Sequence, residues 1–291
     1  MPIVRLGFTV VVCVLALLGG CHRTQPRQDH PRAAAGVKVQ DVTFSSATLG
    51  RPMQYRVFLP ESLPAGEKFP VIYLLHGGGG DFRDWSNFSE VAPYARRGLI
   101  LVMPDGGESY YMNEVGAPKN RYKDYITQDL IADVESRFPA RGGRQSRAII
   151  GISMGGFAAI EYALSQPGLY GFVGALSPSI DVPFRRFNLR RIDQWWKFRV
   201  IFGPAGSQER AERDPSKLAL SADPKATPYI YLTVGEQEPL LGPNRRFAAL
   251  LKRRGFAYEF HTKPGGHDWG QWNAQIPGCL EDLLQQLNQQ H

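Results

Sequence analysis

Ala148-Ile149-Ile150-Gly151-Ile152-Ser153-Met154-Gly155-Gly156 reads as a strand, a tight turn and the beginning of a helix. The apolar run Ala148-Ile149-Ile150 suits a buried strand, and a helix-forming stretch opens near Gly156. A serine on such a turn is pushed out at the carboxyl edge of a sheet in a strained backbone, and glycines flank it where a Cβ would collide. That geometry is a nucleophile elbow. The rest of the chain decides whether Ser153 has the partners a nucleophile needs.

Outward from the elbow, short apolar runs recur at Val71 to Leu75, Leu99 to Met103, Phe172 to Leu176, Tyr229 to Val234 and Phe256 to Phe260. With Ala148 to Ile150 they are expected as fully buried parallel strands. Helical spacing lies between them: Ile126, Leu130, Val134 and Phe138 recur every four residues, and Phe247, Leu250 and Leu251 stand in a helix ended by Gly255. Upstream, Val37 to Ser45 and Met53 to Leu59 flank Leu49-Gly50-Arg51-Pro52 and predict an antiparallel hairpin. Alternating strands and helices imply an α/β fold with a doubly wound, mostly parallel sheet, which binds ligands beyond the carboxyl ends of its strands. Ser153 is placed at that edge. The 291 residues are expected to hold one catalytic domain over 37–291. The segment of about 177–220 is long for a connection and is expected to form a partial lid. It carries Trp195-Trp196 and the basic cluster Arg185, Arg186, Arg190 and Arg191. An anionic substrate or lipid headgroup is one reading of the cluster, and a solvated face with two core tryptophans is the simpler one.

A serine hydroxyl needs a base, an acid to orient the base and donors for the oxyanion. His267, in Pro264-Gly265-Gly266-His267-Asp268-Trp269, follows the last expected strand on a glycine-rich loop. Of the other histidines, His22, His30 and His291 are near the termini, His261 ends a strand and His76 reads as a loop-orienting residue. For the acid, the loop Gly235-Glu236-Gln237-Glu238-Pro239 offers two carboxylates; Glu238 is favoured by its distance from the strand end and Glu236 is the competitor. Asp268, adjacent to the histidine, points elsewhere. Ser153, Glu238 and His267 then follow in the order nucleophile, acid, base. His76-Gly77-Gly78-Gly79-Gly80 directly follows a strand and supplies oxyanion N–H groups, with Gly78 one donor and Met154 the second. No Lys-Ser/Thr follows these glycines, so they are not a phosphate-binding P-loop.

Taken as a set, His76-Gly77-Gly78, the stretch Met103-Pro104-Asp105-Gly106-Gly107 with Ser109-Tyr110-Tyr111, Gly151 to Gly156, and Gly265-Gly266-His267-Asp268 with Trp272 resemble the esterase D family of α/β-hydrolases. That family holds S-formylglutathione hydrolases, tributyrin-type acyl esterases, feruloyl and acetyl-xylan esterases and mycolyl-transferring relatives. The resemblance spans roughly residues 40 to 285. It implies a serine carboxylic ester hydrolase working through an acyl-enzyme without metal or cofactor, with Ser153, His267, Gly78 and Met154 in the roles above. Most members have aspartate as the acid, so Glu238 is a departure. The rivals are an acyltransferase sharing the first half-reaction and, from another class, a non-catalytic binding lipoprotein. The assembled triad and oxyanion glycines argue against the latter. Short acyl chains are the expected substrates, on the strength of Tyr110 and Tyr111 and of the resemblance to acyl esterases.

After Arg5, the fifteen residues Leu6 to Gly20 are uncharged and mostly apolar, too few to span a bilayer comfortably, and read as a signal peptide over 1–20. They end in Leu18-Gly19-Gly20-Cys21, which resembles a bacterial lipobox and implies lipidation of Cys21 and an envelope location through an N-terminal membrane anchor. Residues 21–36 are expected as a flexible tether. With Cys13 removed and Cys21 lipidated, Cys279 is the remaining thiol, so no disulfide framework is expected. It is placed at the start of a helix after Pro277-Gly278, buried and inert. The formal charge of +7 comes from scattered basic residues with no nucleic-acid motif.

Overall fold

In a computed structural model the described residues are 28–62, 64, 66–184 and 192–289. The signal and lipobox, Cys13, Cys21 and the arginines at 185, 186, 190 and 191 lie outside them. The eight strands are β1 (Val37–Ser46), β2 (Arg51–Pro60), β3 (Val71–Leu75), β4 (Ile100–Pro104), β5 (Arg147–Ile152), β6 (Phe172–Leu176), β7 (Tyr229–Gly235) and β8 (Tyr258–Lys263). They form one sheet in the order β1-β2-β4-β3-β5-β6-β7-β8. β1 and β2 pair antiparallel as the expected hairpin, β2 pairs antiparallel with β4, and the remaining neighbours are parallel. This is the α/β-hydrolase architecture.

Helices cover both faces: α1 (Asp84–Phe88), α2 (Ala92–Ala95), α3 (Tyr122–Asp124), α4 (Leu130–Arg137), α5 (Met154–Ser165), α6 (Ile192–Phe202), α7 (Gln208–Ala211), α8 (Pro215–Ser221), α9 (Leu241–Arg254) and α10 (Trp269–Asn288). Side chains alternate across a strand, so Tyr73 and Leu75 of β3 join one apolar cluster while Ile72 and Leu74 join the other. β3, β4 and β6 are buried along their whole length, as continuous apolar runs require when both faces are covered.

Four expectations need correction. The last strand begins at Tyr258, after Phe256, and is half exposed because it is the sheet edge, with a neighbour on one side alone. Between α3 and α4 the backbone makes a π-turn over Tyr125–Asp129. Spacing of four exceeds the α-helical repeat, and this wider turn keeps Ile126, Leu130 and Val134 all buried. Cys279 is not at a helix start: α10 begins at Trp269 and runs through Pro277, held by the packing of Trp272, Ile276, Leu280 and Leu283. The thiol is fully buried, and burial holds it well above the usual thiol range.

The fourth concerns the expected tether, whose residues 28–36 lie docked on the sheet. Arg56 of β2 is almost completely buried and uses its guanidinium on Asp29, Asp41 and Ser86, with Nη2 to Asp29 Oδ2 at 2.7 Å and Nε to Asp41 Oδ1 at 2.6 Å. Arg32 N–H donates to Ser86 O at 2.8 Å. A buried guanidinium without carboxylate partners is costly, so Asp29 fixes the chain here.

Candidate active site

Ser153 sits between the end of β5 and the first turn of α5, with φ 52° and ψ −108°. Such a backbone costs on the order of 1–3 kcal/mol and persists where its surroundings over-determine it. Here they do: Ser153 N–H donates to Leu176 O at 2.8 Å, while Ser153 O accepts from Phe157 N at 3.0 Å and Ser179 N at 3.2 Å. The flanking glycines are steric necessities. A Cβ on Gly151 would stand 2.2 Å from Gly155 backbone atoms, and one on Gly155 would stand 2.5 Å from Leu75 O.

His267 Nε2 lies 2.8 Å from Ser153 Oγ and its Nδ1 lies 2.6 Å from Glu238 Oε2. The carboxylate fixes the tautomer: Nδ1–H donates to Glu238, leaving Nε2 to accept from the serine hydroxyl. The other Glu238 oxygen, Oε1, accepts from Ser177 Oγ at 2.5 Å and Gly235 N–H at 2.7 Å. The Glu238 side chain has no solvent exposure, whereas His267 is one-third exposed toward the site. Glu236, the competing acid, points to solvent and accepts from Thr262 Oγ1 at 3.1 Å. Asp268 caps α10 by accepting from Gln271 N–H at 3.0 Å. The acid and histidine loops are zipped together by Glu236 N–H to Lys263 O at 2.9 Å and Gln237 N–H to Gly265 O at 3.1 Å.

The glycine-rich loop 76–80 passes directly beside the serine, for a Cβ on Gly77 would lie 3.5 Å from Ser153 Cβ. His76 is buried and orients this loop. Its Nε2 accepts from Gly106 N–H at 3.0 Å, which puts the proton on Nδ1, and Nδ1–H donates to Gly77 O at 2.8 Å. Gly80 N–H reaches the same oxygen at 3.2 Å. The Gly77–Gly78 peptide is planar and trans, so fixing Gly77 O in one direction fixes Gly78 N–H in the other. Among the described residues no acceptor takes the Gly78 N–H. Met154 N–H opens α5, where the helix dipole favours negative charge.

On the His267 side of the site is a cavity of about 600 Å³, lined by Gln28, Gly77 to Gly80, Asp84, Phe88, Ile152, His267, Trp269 and Trp272 among others. Tyr110 and Tyr111 do not line it. Tyr111 is fully buried and Tyr110 packs edge-on against Phe157, Phe198 and Phe202, so both belong to the core that carries α6. Within the segment of about 177–220 the described residues form α6, α7 and α8. Among the described residues no cluster of three or more His, Cys, Asp or Glu side chains could hold a metal ion.

Ser177 and Gly235 escaped the sequence reading. Ser177 has φ 49° and links two functional groups, donating to Glu238 and accepting from Trp272 Nε1 at 3.1 Å. Trp272 in turn stands edge-on to His267 at 5.1 Å between ring centroids. Gly235 could have been flagged as the glycine ending a buried strand before two acids: a Cβ there would lie 2.7 Å from Glu238 Oε1.

Comparisons with known proteins agree with this geometry. The family model described as a putative esterase matches residues 46–283. An acetyl esterase of Caldicellulosiruptor saccharolyticus is 25% identical over 260 residues, covering 84% of this chain and 97% of that protein. An esterase of Mycobacterium tuberculosis is 30% identical over 252 residues, 77% of this chain but 54% of that longer protein. Among solved structures, a fluorophosphonate-binding serine hydrolase of Staphylococcus aureus superimposes with a TM-score of 0.74 at 25% identity, covering 86% of this chain and 98% of that one. With its hydrogen-bonded serine, histidine and glutamate on the α/β-hydrolase sheet, the chain is a serine hydrolase and belongs to the putative esterase family.

Proposed function

We propose that Ser153 is the nucleophile, His267 the base and Glu238 the acid of a carboxylesterase that works through an acyl-enzyme on short acyl esters. The carrying observation is the continuous hydrogen-bonded chain from Ser153 Oγ through His267 to a buried Glu238. Ser153 Oγ attacks the ester carbonyl as its proton passes to His267 Nε2, and Gly78 and Met154 N–H receive the carbonyl oxygen as it becomes anionic. Collapse breaks the bond to the alcohol, which leaves with the proton from Nε2. Water then gives a proton to Nε2 and its oxygen to the acyl carbon, and release of the carboxylic acid restores the Ser153 hydroxyl. Glu238 holds the imidazole tautomer and stabilises the imidazolium without taking the proton.

The acyl preference is supported by the name of the acetyl esterase relative. Each buried methylene gains about 0.8 kcal/mol until the pocket is full. The test is kcat/KM on p-nitrophenyl esters of graded chain length beside methyl ferulate and acetylated xylan. Butyryl above dodecanoyl and feruloyl is expected; the reverse order refutes the preference.

Secretion with lipidation at Cys21 completes the proposal, supported by Leu18-Gly19-Gly20-Cys21 and the apolar stretch before it. The wild type should partition into detergent and Cys21→Ser should not. Equal membrane association of the two would favour an uncleaved apolar helix instead.

A further inference from the structure

Beyond the triad, one charged contact reaches the oxyanion loop from outside. Gly79 N–H, adjacent to Gly78, donates to Glu108 Oε1, and Glu108 Oε2 is in turn paired with Lys197 Nζ of α6. Both carboxylate oxygens stand within 3.9 to 4.0 Å of the position a Cβ on Gly78 would take. The pair is solvent-accessible, with 31% of the lysine and 50% of the glutamate side chain exposed, so its worth to folding is small. Its placement matters more. The Glu108 carboxylate helps hold the loop through Gly79 N–H, yet the same negative charge opposes the anion that forms at Gly78 N–H during acylation.

We propose that Lys197 is a positioning residue that neutralises Glu108 and thereby lets the glutamate hold the oxyanion loop without penalising the transition state. The inference rests on the assignment of Gly78 as an oxyanion donor. It makes the insertion carrying α6 part of the catalytic electrostatics: where α6 sits decides whether Glu108 is a neutralised brace or a bare charge beside the developing oxyanion. His76 braces the same loop from the buried side through Gly77 O, with Asp105 Oδ1 3.7 Å from its Nε2.

Kinetics with p-nitrophenyl acetate on wild type, Lys197→Met, Glu108→Gln, the double variant and Ser153→Ala test this. Lys197→Met should lose about tenfold in kcat with little change in KM, the size expected of one unit charge a few ångströms from a developing charge in a partly wet site. Glu108→Gln should lose less, about threefold or under, because the amide oxygen still accepts from Gly79 N–H. The double variant should match Glu108→Gln, since lysine has nothing to neutralise once the carboxylate is gone. A purely structural role for Lys197 gives no such rescue. A wild-type kcat in Lys197→Met, or a double variant as poor as Lys197→Met, overturns the inference. Activity persisting in Ser153→Ala would overturn the reading of the site itself, a different failure.

Discussion

Around Ser153 the strand-end loops are tied by backbone bonds reinforced by buried side chains such as His76 and Ser177, whereas the borders of the cleft rely more on charged and aromatic side chains. The turn at Ser153, the loop 76–80 and the loop 235–239 fix their peptides through Leu176 O, Gly77 O, Lys263 O and Gly265 O. The α6 side is joined through Lys197, Glu108 and the aromatic cluster of Tyr110, Phe198 and Phe202, and the N-terminal side through Asp29 on Arg56. Backbone ties with glycines in sterically closed positions leave one geometry, which a reaction needing its donors placed to a fraction of an ångström requires. The tie of Asp29 to Arg56 lies away from that geometry, whereas Glu108 on the α6 side reaches it through Gly79 N–H.

Substitutions at the backbone-tied part should therefore be severe. Gly155→Ala forces a Cβ against Leu75 O and should destabilise by at least about 3 kcal/mol, read as loss of soluble folded protein or a large fall in Tm. A near-normal Tm would show the elbow to be looser than its contacts indicate. Glu238→Gln should lower kcat by about 10⁴, as the tautomer and imidazolium lose their partner, while Glu236→Gln stays within about threefold of wild type. If the two results were exchanged, the acid would be Glu236.

Ser177→Ala is intermediate. It leaves Trp272 Nε1–H and Glu238 Oε1 each short of a partner, and should cost about 1–3 kcal/mol of stability. A fall in kcat of about tenfold should follow from looser placement of the acid. Unchanged kcat would remove Ser177 from the catalytic support.

Asp29→Asn probes a side-chain tie and should have the smallest effect, about 1 kcal/mol or less because the pair is partly solvated. The hydrogen bond from Arg56 lowers the Asp29 carboxyl below its ordinary range, against the opposing effect of burial. A group with a depressed folded value stabilises at pH above its unfolded value and loses that contribution as pH falls through the folded value. The Tm gap between wild type and Asp29→Asn should thus be full near pH 7 and be lost in acid as pH falls through the lowered Asp29 value, beneath the ordinary carboxylate range. A gap that persists there would mean the charge is not what docks this segment.

The same division explains what could be read from the chain. Gly151 and Ser153 are legible because their constraint lies within the turn itself, Gly155 because it completes the same motif although its Cβ would meet Leu75 of β3, and β3 and β6 because burial on both faces forces an apolar run. The order Ser153, Glu238, His267 follows from which strand ends lie at one edge. Ser177 was not legible, since its role exists only once β6, the acid loop and α10 meet. Tyr110 and Tyr111 read from sequence as substrate contacts, but aromatic residues beside a site serve the core equally well, and tertiary packing decides. The docking of residues 28–36 depends on the guanidinium of Arg56, whose need for carboxylates becomes visible only when β2 is buried.

The central claim, that Ser153 is the residue made nucleophilic by this hydrogen-bonded chain, is tested most directly by fluorophosphonate labelling read by intact mass and peptide mapping. The wild type should take up one adduct per chain, on Ser153, and Ser153→Ala should take up none. An adduct on any other residue, or labelling that survives in Ser153→Ala, would contradict the account.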